Sequence, residues 1–316
     1  MSVTFLVLGL IILIFGAELL VQGAASLAKR LAIAEIVIGL TVVAFGTSTP
    51  EMVVNIFASI ENRNDIVFGN IIGSNIFNIL LILGVSGLIY PLAVQKNTVW
   101  KEIPFSFLVT LVLLLLVNDS ANNSLLCCML SRNDGLVLLL LFAIFITYLF
   151  GIAKVESTDK YQVKVYSVAV STLLIIGGLG ALFAGGKLCL VGAVELARNF
   201  GLSEKFIAST IIAAGTSLPE LATSSVAAYR RRCDIAVGNI VGSNVFNILA
   251  ILGVSAVIRP AVYNPAFNVD LCILIVATVI LYLAMFTGKR HRLDRWEAVL
   301  MLLGYIGYVM YLLCLR

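Results

Sequence analysis

The sequence predicts an all-α polytopic membrane protein with ten transmembrane helices, arranged as two inverted-topology repeats of five. Composition is the first reason: 61% of the 316 residues are hydrophobic, only 12% are charged and the mean hydropathy is +1.08. A soluble domain carries about twice that charged share. The other two reasons are apolar runs that recur along the chain and a long stretch that occurs twice.

Ten apolar runs predict helices that cross the bilayer, which takes roughly 20 residues per helix. In chain order they cover about 3–28, 33–60, 66–90, 103–117, 135–153, 165–196, 203–229, 235–258, 269–286 and 296–315. The widest charged gap joins the fifth run to the sixth. We therefore predict a first five-helix repeat over residues 1–153, a cytoplasmic linker over 154–164 and a second five-helix repeat over 165–316.

The duplicated stretch runs over residues 46–91 and again over 215–260. The two copies align without a gap at an offset of 169 residues, and 26 of the 46 paired positions are identical. Each copy holds the motifs GTSxPE and GNxxGSNxFN. Because the offset covers five helices, an odd number, the second copy enters the membrane from the opposite side. Inverted-topology repeats of this kind are a common plan among secondary transporters.

Basic residues predict the orientation in the membrane. If the N-terminus lies outside, 14 of the 21 Lys and Arg fall in the inner loops. Short cytoplasmic loops carry such an excess of Lys and Arg. We expect an integral protein of the cell (inner) membrane, with both termini outside and the linker in the cytoplasm.

Other features argue against several function classes. The six cysteines are scattered without a CxxC spacing, which disfavours zinc and a disulfide framework. The single histidine, His291, lies in a charged loop, so histidine-based metal sites and proton relays are excluded. The net charge of +4 is modest and does not suggest nucleic acid. We expect no enzyme activity, no cofactor and no obligate protein partner beyond the lipid bilayer.

The GTSxPE motif predicts a broken helix in each repeat. Pro50 and Pro219 lack an N–H and clash with the preceding turn. The carbonyls at about 44–47 and 213–216 are expected to lose their donors. Irregular backbone at membrane depth survives where it is buried in protein or lines a cavity, and freed carbonyls there are cation ligands.

Glu51 and Glu220 are the acids of this motif, and each lies inside a long apolar run. A charged group at such a depth costs roughly 3 kcal/mol or more and usually marks function. Neither repeat offers a buried Lys or Arg as a partner, so a cation is expected to neutralise them. Thr47 and Ser48 share a helical face with Glu51. Hydroxyls, carbonyls and a carboxylate are hard donors, which suit Ca²⁺ and Na⁺.

The second motif places a polar stripe on the third predicted helix. Asn70, Ser74 and Asn78 follow one another at four-residue intervals, and the eighth helix repeats them as Asn239, Ser243 and Asn247. Glycines and asparagines in membrane helices often serve packing alone. Duplication in register beside a buried glutamate favours a binding site instead. Asn78 and Asn247 are then expected to face each other across that site.

These paired motifs resemble the two alpha repeats of the cation/calcium exchanger superfamily, and the whole chain is similar to its short prokaryotic sodium/calcium exchanger branch. The resemblance implies that Glu51 and Glu220 coordinate Ca²⁺ together with the carbonyls of Thr47 and Thr216. It further implies Na⁺ sites and lining residues elsewhere in the motifs. The Na⁺ sites would use Ser48, Ser74, Ser217, Ser243 and the carbonyls of Ala44 and Ala213, with Asn78 and Asn247 lining the middle. The first and sixth helices would form a sliding gate.

The expected function is antiport of Na⁺ and Ca²⁺ by alternating access, with the ions bound midway between the repeats. Two carboxylates match one Ca²⁺ in charge. A calcium/proton exchanger and a potassium-dependent sodium/calcium exchanger of the same fold stay open as alternatives. An ion channel would need a continuous pore, and a purely structural membrane protein would not need two buried acids without partners.

Overall fold

The protein is an all-helical membrane protein in the computed structural model, which describes residues 2–118, 128–152, 164–199, 213–288 and 291–315. Eight helices in these ranges are long and apolar enough to cross a membrane. A bent pair, Glu35–Thr47 with Thr49–Ile60, adds a ninth, broken span.

Fifteen α-helical segments make up the described fold. They are α1 (Ser2–Arg30), α2 (Glu35–Ile38), α3 (Ala44–Thr47), α4 (Thr49–Ile60), α5 (Asn64–Ile76), α6 (Leu83–Ile89), α7 (Ile103–Val117), α8 (Arg132–Ile152), α9 (Val168–Asn199), α10 (Ala213–Thr216), α11 (Leu218–Tyr229), α12 (Cys233–Phe246), α13 (Gly253–Ile258), α14 (Phe267–Ala284) and α15 (Arg295–Leu315). Several are joined by π-helical turns into longer rods. These turns are Gly39–Val43, Phe77–Ile82, Thr98–Glu102 and Asn247–Leu252.

Nine of the ten predicted helices appear within a few residues of their expected bounds, counting the broken span as one. The fourth begins earlier than predicted because a π-helical turn extends it back to Thr98. Of the predicted seventh helix, residues 203–212 lie outside the described residues, and α10 and α11 form the rest. Most of the predicted linker, 154–163, also lies outside them.

The predicted helix break is confirmed. The two parts of the broken span differ in direction by 48°. The chain turns at Ser48, whose φ of −82° and ψ of 6° are not helical, and Pro50 lies in the first turn of the next segment. The second copy turns at Ser217 in the same way, with φ −89° and ψ 8°.

The expected loss of hydrogen bonds was wrong for Ala44. Its carbonyl accepts the Ser48 N–H at 3.0 Å, and the Thr47 hydroxyl oxygen lies 3.4 Å away. A proline withdraws its own N–H from the carbonyl four residues earlier, which for Pro50 is that of Gly46. The last turn of α3, from Ala44 to Ser48, therefore keeps its backbone hydrogen bond.

Two short antiparallel ladders join loops of the first half to loops of the second. Leu92–Ala93 pairs with Arg292–Leu293, and Met129–Leu130 pairs with Ala261–Val262. Nothing in the sequence predicted these two-residue strands. They tie the ends of helices from the two halves to each other.

Helices α1 and α9 pack along each other in antiparallel fashion through glycines. The glycines recur every seven residues on both helices: Gly9, Gly16 and Gly23 on α1, and Gly178, Gly185 and Gly192 on α9. A Cβ at Gly16 would lie 2.8 Å from the backbone N of Leu182 and 2.9 Å from the carbonyl O of Gly178. Only glycine lets the two backbones come this close.

We predict that Gly185→Ala destabilises the protein by about 1–3 kcal/mol, because its Cβ would meet backbone atoms of α1. The new Cβ would lie 2.8 Å from the N of Leu13 and 2.9 Å from the O of Gly9. Thermal unfolding in detergent measures the effect. The matched control is Gly177→Ala on the same helix, where nothing lies within 4 Å of an added Cβ. An equal Tm for the two variants would contradict a close-packed seam.

Candidate ion-binding site

Glu51 and Glu220 lie inside the protein, 0% and 1% exposed. Each is held by the serine at the helix break of the other half. The Ser217 hydroxyl donates to Glu51 Oε1 at 2.9 Å, and the Ser48 hydroxyl donates to Glu220 Oε1 at 2.8 Å. The structure thus brings together four of the predicted site residues, two from each half, by reciprocal bonds.

The threonines of the same motif reach across in the same way. The Thr47 hydroxyl donates to Asn239 Oδ1 at 3.0 Å, and the Thr216 hydroxyl donates to Asn70 Oδ1 at 3.5 Å. The hydrogen of each threonine hydroxyl is therefore committed to an asparagine of the other half. The bonds fix the break of each half against the third or eighth predicted helix of the other.

Asn70 and Asn239 are in turn held by residues that the sequence analysis missed. Asn70 Nδ2 donates to Asn55 Oδ1 at 2.7 Å, and Asn239 Nδ2 donates to the Ser224 hydroxyl at 3.0 Å. Ser224 lies 169 residues after Asn55. A polar residue at the same place in the two copies of the duplicated stretch was the signal that could have found them.

Four asparagines form a ring of amides between the halves. Asn78 Nδ2 donates to Asn244 Oδ1, and Asn247 Nδ2 donates to Asn75 Oδ1, both at 2.9 Å. Asn75 and Asn244 each donate to the backbone carbonyl of the other, at 3.2 and 3.4 Å. With their amide nitrogens committed, Asn78 and Asn247 have their Oδ1 atoms left to offer.

Asn75 and Asn244 were not among the predicted site residues. The signal was present, since both are the asparagine of GSN in the duplicated motif. Sequence reasoning placed the middle asparagines opposite each other. The hydrogen bonds instead connect each of them to an asparagine of the other half.

Buried oxygens without a hydrogen-bond partner are concentrated in the duplicated motifs. Buried polar groups are rarely left unpaired. Within the described residues the unpartnered oxygens include repeat-related pairs from four motif positions. They are Glu51 and Glu220 Oε2, the hydroxyls of Ser74 and Ser243, Asn78 and Asn247 Oδ1, and the hydroxyls of Ser86 and Ser255. The first three pairs were predicted as ion ligands; the last was not.

Within the part of the chain that the structure describes, no basic side chain forms an ion pair with either buried carboxylate. Among the described residues, the ion pairs join Arg63 to Glu61, Arg230 to Glu18, Arg232 to Glu35 and Arg292 to Asp294. A buried ion without a partner is expensive. Two carboxylates with hydroxyl and amide oxygens around them form a hard-donor set, which suits Na⁺ or Ca²⁺ and disfavours softer metals.

The site and the fold together define an integral membrane transport protein. The chain belongs to the family described as sodium/calcium exchanger protein, whose model matches residues 1–151 and 170–314. The resemblance found in the sequence is therefore confirmed. The family is one of transporters, so the expectation that the chain is not an enzyme is also confirmed.

Relatives and a solved structure match nearly the whole chain. The sodium/calcium exchanger MaX1 of Methanosarcina acetivorans is 33% identical over 98% of this chain and 99% of its own. The inner membrane protein YrbG of Escherichia coli (strain K12) is 33% identical over 98% of this chain and 96% of its own. The sodium-calcium exchanger NCX_Mj, soaked with Na⁺ and without Ca²⁺, superposes with a TM-score of 0.84. It shares 33% identity and covers 100% of this chain and 99% of its own.

Proposed function

We propose that the chain is a secondary antiporter that exchanges Na⁺ for Ca²⁺ by alternating access, with the ions bound between the two halves. The observation that carries this proposal is the pair of buried carboxylates, one from each half. Each accepts a hydrogen bond from a serine of the opposite half. The site residues together bring a charge of about −2, which matches one Ca²⁺ or two of the competing Na⁺ ions.

Glu51 and Glu220 are the proposed Ca²⁺ ligands, each through its unpartnered Oε2 and with the carbonyls of Thr47 and Thr216. The proposed Na⁺ ligands are Ser48, Ser74, Ser217, Ser243 and the carbonyls of Ala44 and Ala213. Because Ser48 donates its hydrogen to a carboxylate, its oxygen lone pairs stay open to a cation. The Ala44 carbonyl already accepts the Ser48 N–H and offers less.

Asn78 and Asn247 complete the proposed site. Their Oδ1 atoms are buried and unpartnered, and the bonds of their amide nitrogens to Asn244 and Asn75 set which end of each amide is presented. An amide oxygen adds a hard ligand without adding charge. The site therefore gains ligands for Na⁺ without increasing its negative charge.

We further propose ten transmembrane helices in two inverted repeats, over residues 1–153 and 165–316, joined by a cytoplasmic linker over 154–164. The supporting observation is that the contacts occur in pairs related by 169 residues. Ser48 to Glu220 matches Ser217 to Glu51, and the ring of asparagines has the same symmetry.

The proposed location is the cell (inner) membrane, with both termini outside. The basic residues of alternate loops support the orientation, and the name of YrbG, an inner membrane protein, supports the location. We predict that a cysteine placed at Thr158, in a variant without native cysteines, reacts with a membrane-impermeant reagent only from the cytoplasmic side. A cysteine at Asn122 serves as the control, with labelling expected only from outside. Labelling on the reverse sides would contradict the orientation.

The counter-ion is tested by Ca²⁺ uptake into proteoliposomes that contain the purified protein. An outward Na⁺ gradient should drive uptake, without need of K⁺ or of a pH gradient. Uptake driven by a pH gradient alone would identify a calcium/proton exchanger. Uptake that needs K⁺ together with Na⁺ would identify a potassium-dependent exchanger of the same fold.

We predict that Glu51→Gln and Glu220→Gln each lower Na⁺-driven Ca²⁺ uptake by roughly a hundredfold or more. Removing one charge of a buried, ion-paired group costs about 3–5 kcal/mol, and each 1.4 kcal/mol is a factor of ten. Glu195→Gln, on the proposed sixth helix, is the matched control and should keep most activity. Near wild-type uptake in either test variant, with the protein folded, would remove the carboxylate pair from the ion site.

A further inference from the structure

Glu102 is another buried acid, outside the site described above. It ends the π-helical turn before α7 and is 1% exposed. Its Oε1 accepts a hydrogen bond from the Tyr148 hydroxyl at 2.6 Å. Its Oε2 is buried and has no partner among the described residues. A carboxylate this deep needs compensation for its second oxygen.

A small cavity adjoins Glu102 and holds about 10 Å³, close to the room that one water-sized particle needs. Thr98 also lines it, is fully buried and has an unpartnered hydroxyl. Gln95 lines it as well. Its amide nitrogen donates to Asp234 at 2.8 Å, which leaves its amide oxygen to offer to the cavity.

The basic residues near this cavity are occupied elsewhere. Lys101 places its Nζ 5.8 Å from the centre of the Tyr148 ring. Arg232, whose neighbour Cys233 begins α12, makes an ion pair with Glu35 at 3.0 Å. Within the described chain neither forms an ion pair with Glu102. The cavity therefore combines one uncompensated negative charge with oxygen donors on three residues.

We propose that this cavity binds one monovalent cation, Na⁺, between Glu102 Oε2, the Thr98 hydroxyl and the amide oxygen of Gln95. One carboxylate matches one positive charge, and Ca²⁺ would require six to eight oxygens. The remaining cavity wall is Asn97 together with Ala34, Ile36 and Val37 at the start of the broken span. A bound ion would connect the start of the broken span to the π-helical turn that precedes α7. The proposal does not rest on the proposed transport function.

The second half lacks this donor set. It has an acid–tyrosine pair of the same kind, in which the Tyr308 hydroxyl donates to Asp270 at 3.0 Å. However, Phe267 stands 169 residues after Thr98, so the hydroxyl is missing. The site is thus a feature of one half, and Asp270 provides a matched control.

The test uses the Glu51→Gln/Glu220→Gln variant, in which the transport acids are neutral. Thermal unfolding in NaCl is compared with choline chloride at equal ionic strength. We expect Na⁺ to raise Tm in a saturable way, by roughly 2–4 °C. Adding Glu102→Gln or Thr98→Val should abolish this rise. Adding Asp270→Asn should preserve it, even if it lowers Tm.

Each outcome decides the proposal. An equal effect of K⁺ supports a monovalent-cation site. Equal Tm in Na⁺ and choline overturns it, since the cavity then holds water only. A rise that persists in both Glu102→Gln and Thr98→Val, or one that Ca²⁺ alone produces, also overturns it. Failure of Ca²⁺ uptake in proteoliposomes would leave this result unaffected.

A second, independent observation concerns the contacts of α1 and α9 with the rest of the protein. Helix α1 packs along α11, whereas its counterpart α9 has little contact with α4 among the described residues. At the α1–α11 contact, Glu18 bonds Arg230 twice, at 2.7 and 2.9 Å. The positions related by 169 residues are Lys187 and Glu61, a pair of the same two charges in reversed order. Both are exposed.

We infer that Glu18–Arg230 and Lys187–Glu61 are alternative ion-pair latches of the two access states, only the first of which is formed here. This inference rests on the alternating access of the proposed function. When α1 and α9 move together to close the other side, Lys187 would approach Glu61 while Glu18 separates from Arg230. Each latch would stabilise one state. Because Arg230, Lys187 and Glu61 are exposed and Glu18 is only half-buried, the effect on the equilibrium is modest.

The test is oxidative cross-linking of Glu61→Cys/Lys187→Cys in a variant without native cysteines. We expect a disulfide to form, and Glu18→Gln to raise its rate roughly two- to fivefold, as loss of one exposed ion pair allows. Charge exchange by Glu18→Arg with Arg230→Glu should restore the original rate. The control is Ser26→Cys/Ser171→Cys, whose hydroxyls lie 2.9 Å apart within the α1–α9 pair. Its rate should not change.

Absence of cross-linking at 61 and 187, while the control pair cross-links, would overturn the inference. So would a rate that Glu18→Gln leaves unchanged. If the cross-link forms as expected in a protein that does not exchange Na⁺ for Ca²⁺, the proposed transported ions are wrong and the latch inference still holds.

Discussion

The rest of the structure depends on the exchange of hydrogen bonds between serine and glutamate across the two halves. Ser48 serves Glu220 and Ser217 serves Glu51, so neither half can build its own carboxylate site. Both serines stand at the helix breaks. The backbone of each serine leaves helical geometry there, and its hydroxyl reaches the glutamate of the other half. The prolines that follow make the break obligatory.

The negative charge of the two buried carboxylates explains why the site should hold cations when it changes between access states. Two buried carboxylates cost too much to leave bare, and among the described residues no Lys or Arg is paired with them. Under the proposed function, an unloaded site would have to cross between access states with about −2 of charge uncompensated. Cations that bind the same oxygens lower this cost. Exchange of one cargo for the other therefore follows from the electrostatics of the pair.

Helix positions and the acids of the site could be predicted from the sequence, because the bilayer fixes the length of an apolar run and a buried acid is rare. The partners could not. Asn75 and Asn244 lie one residue beyond the predicted stripe of Ser74 and Ser243. A π-helical turn follows directly at Phe77 and changes the angular spacing from that of an α-helix. A four-residue interval therefore does not define the face that meets the other half.

The hydrogen bond of the Ala44 carbonyl was also not predictable from the sequence. A proline shows that a helix is interrupted, but not how many of the preceding carbonyls lose their donors. The two-residue ladders are a different case. Their pairing is between loops far apart in sequence, such as Leu92 with Leu293. Strands that short carry no periodicity of their own, so only the tertiary structure could show them.

The close packing of the α1 and α9 glycines, the glycine seam, shows how far the duplication extends beyond the two repeated motifs. Gly16 contacts Gly178, and the residues related to these two by the 169-residue offset, Gly185 and Gly9, also contact each other. Each close approach is thus made twice, as in a two-fold interface, where the same surface serves both partners. The bundle departs from this symmetry where α1 meets α11 and α9 leaves α4. An exact two-fold arrangement would open or close both sides of the membrane together. Under the proposed function, this departure would allow one side of the site to be closed while the other is open, and the seam would let α1 and α9 move as one unit.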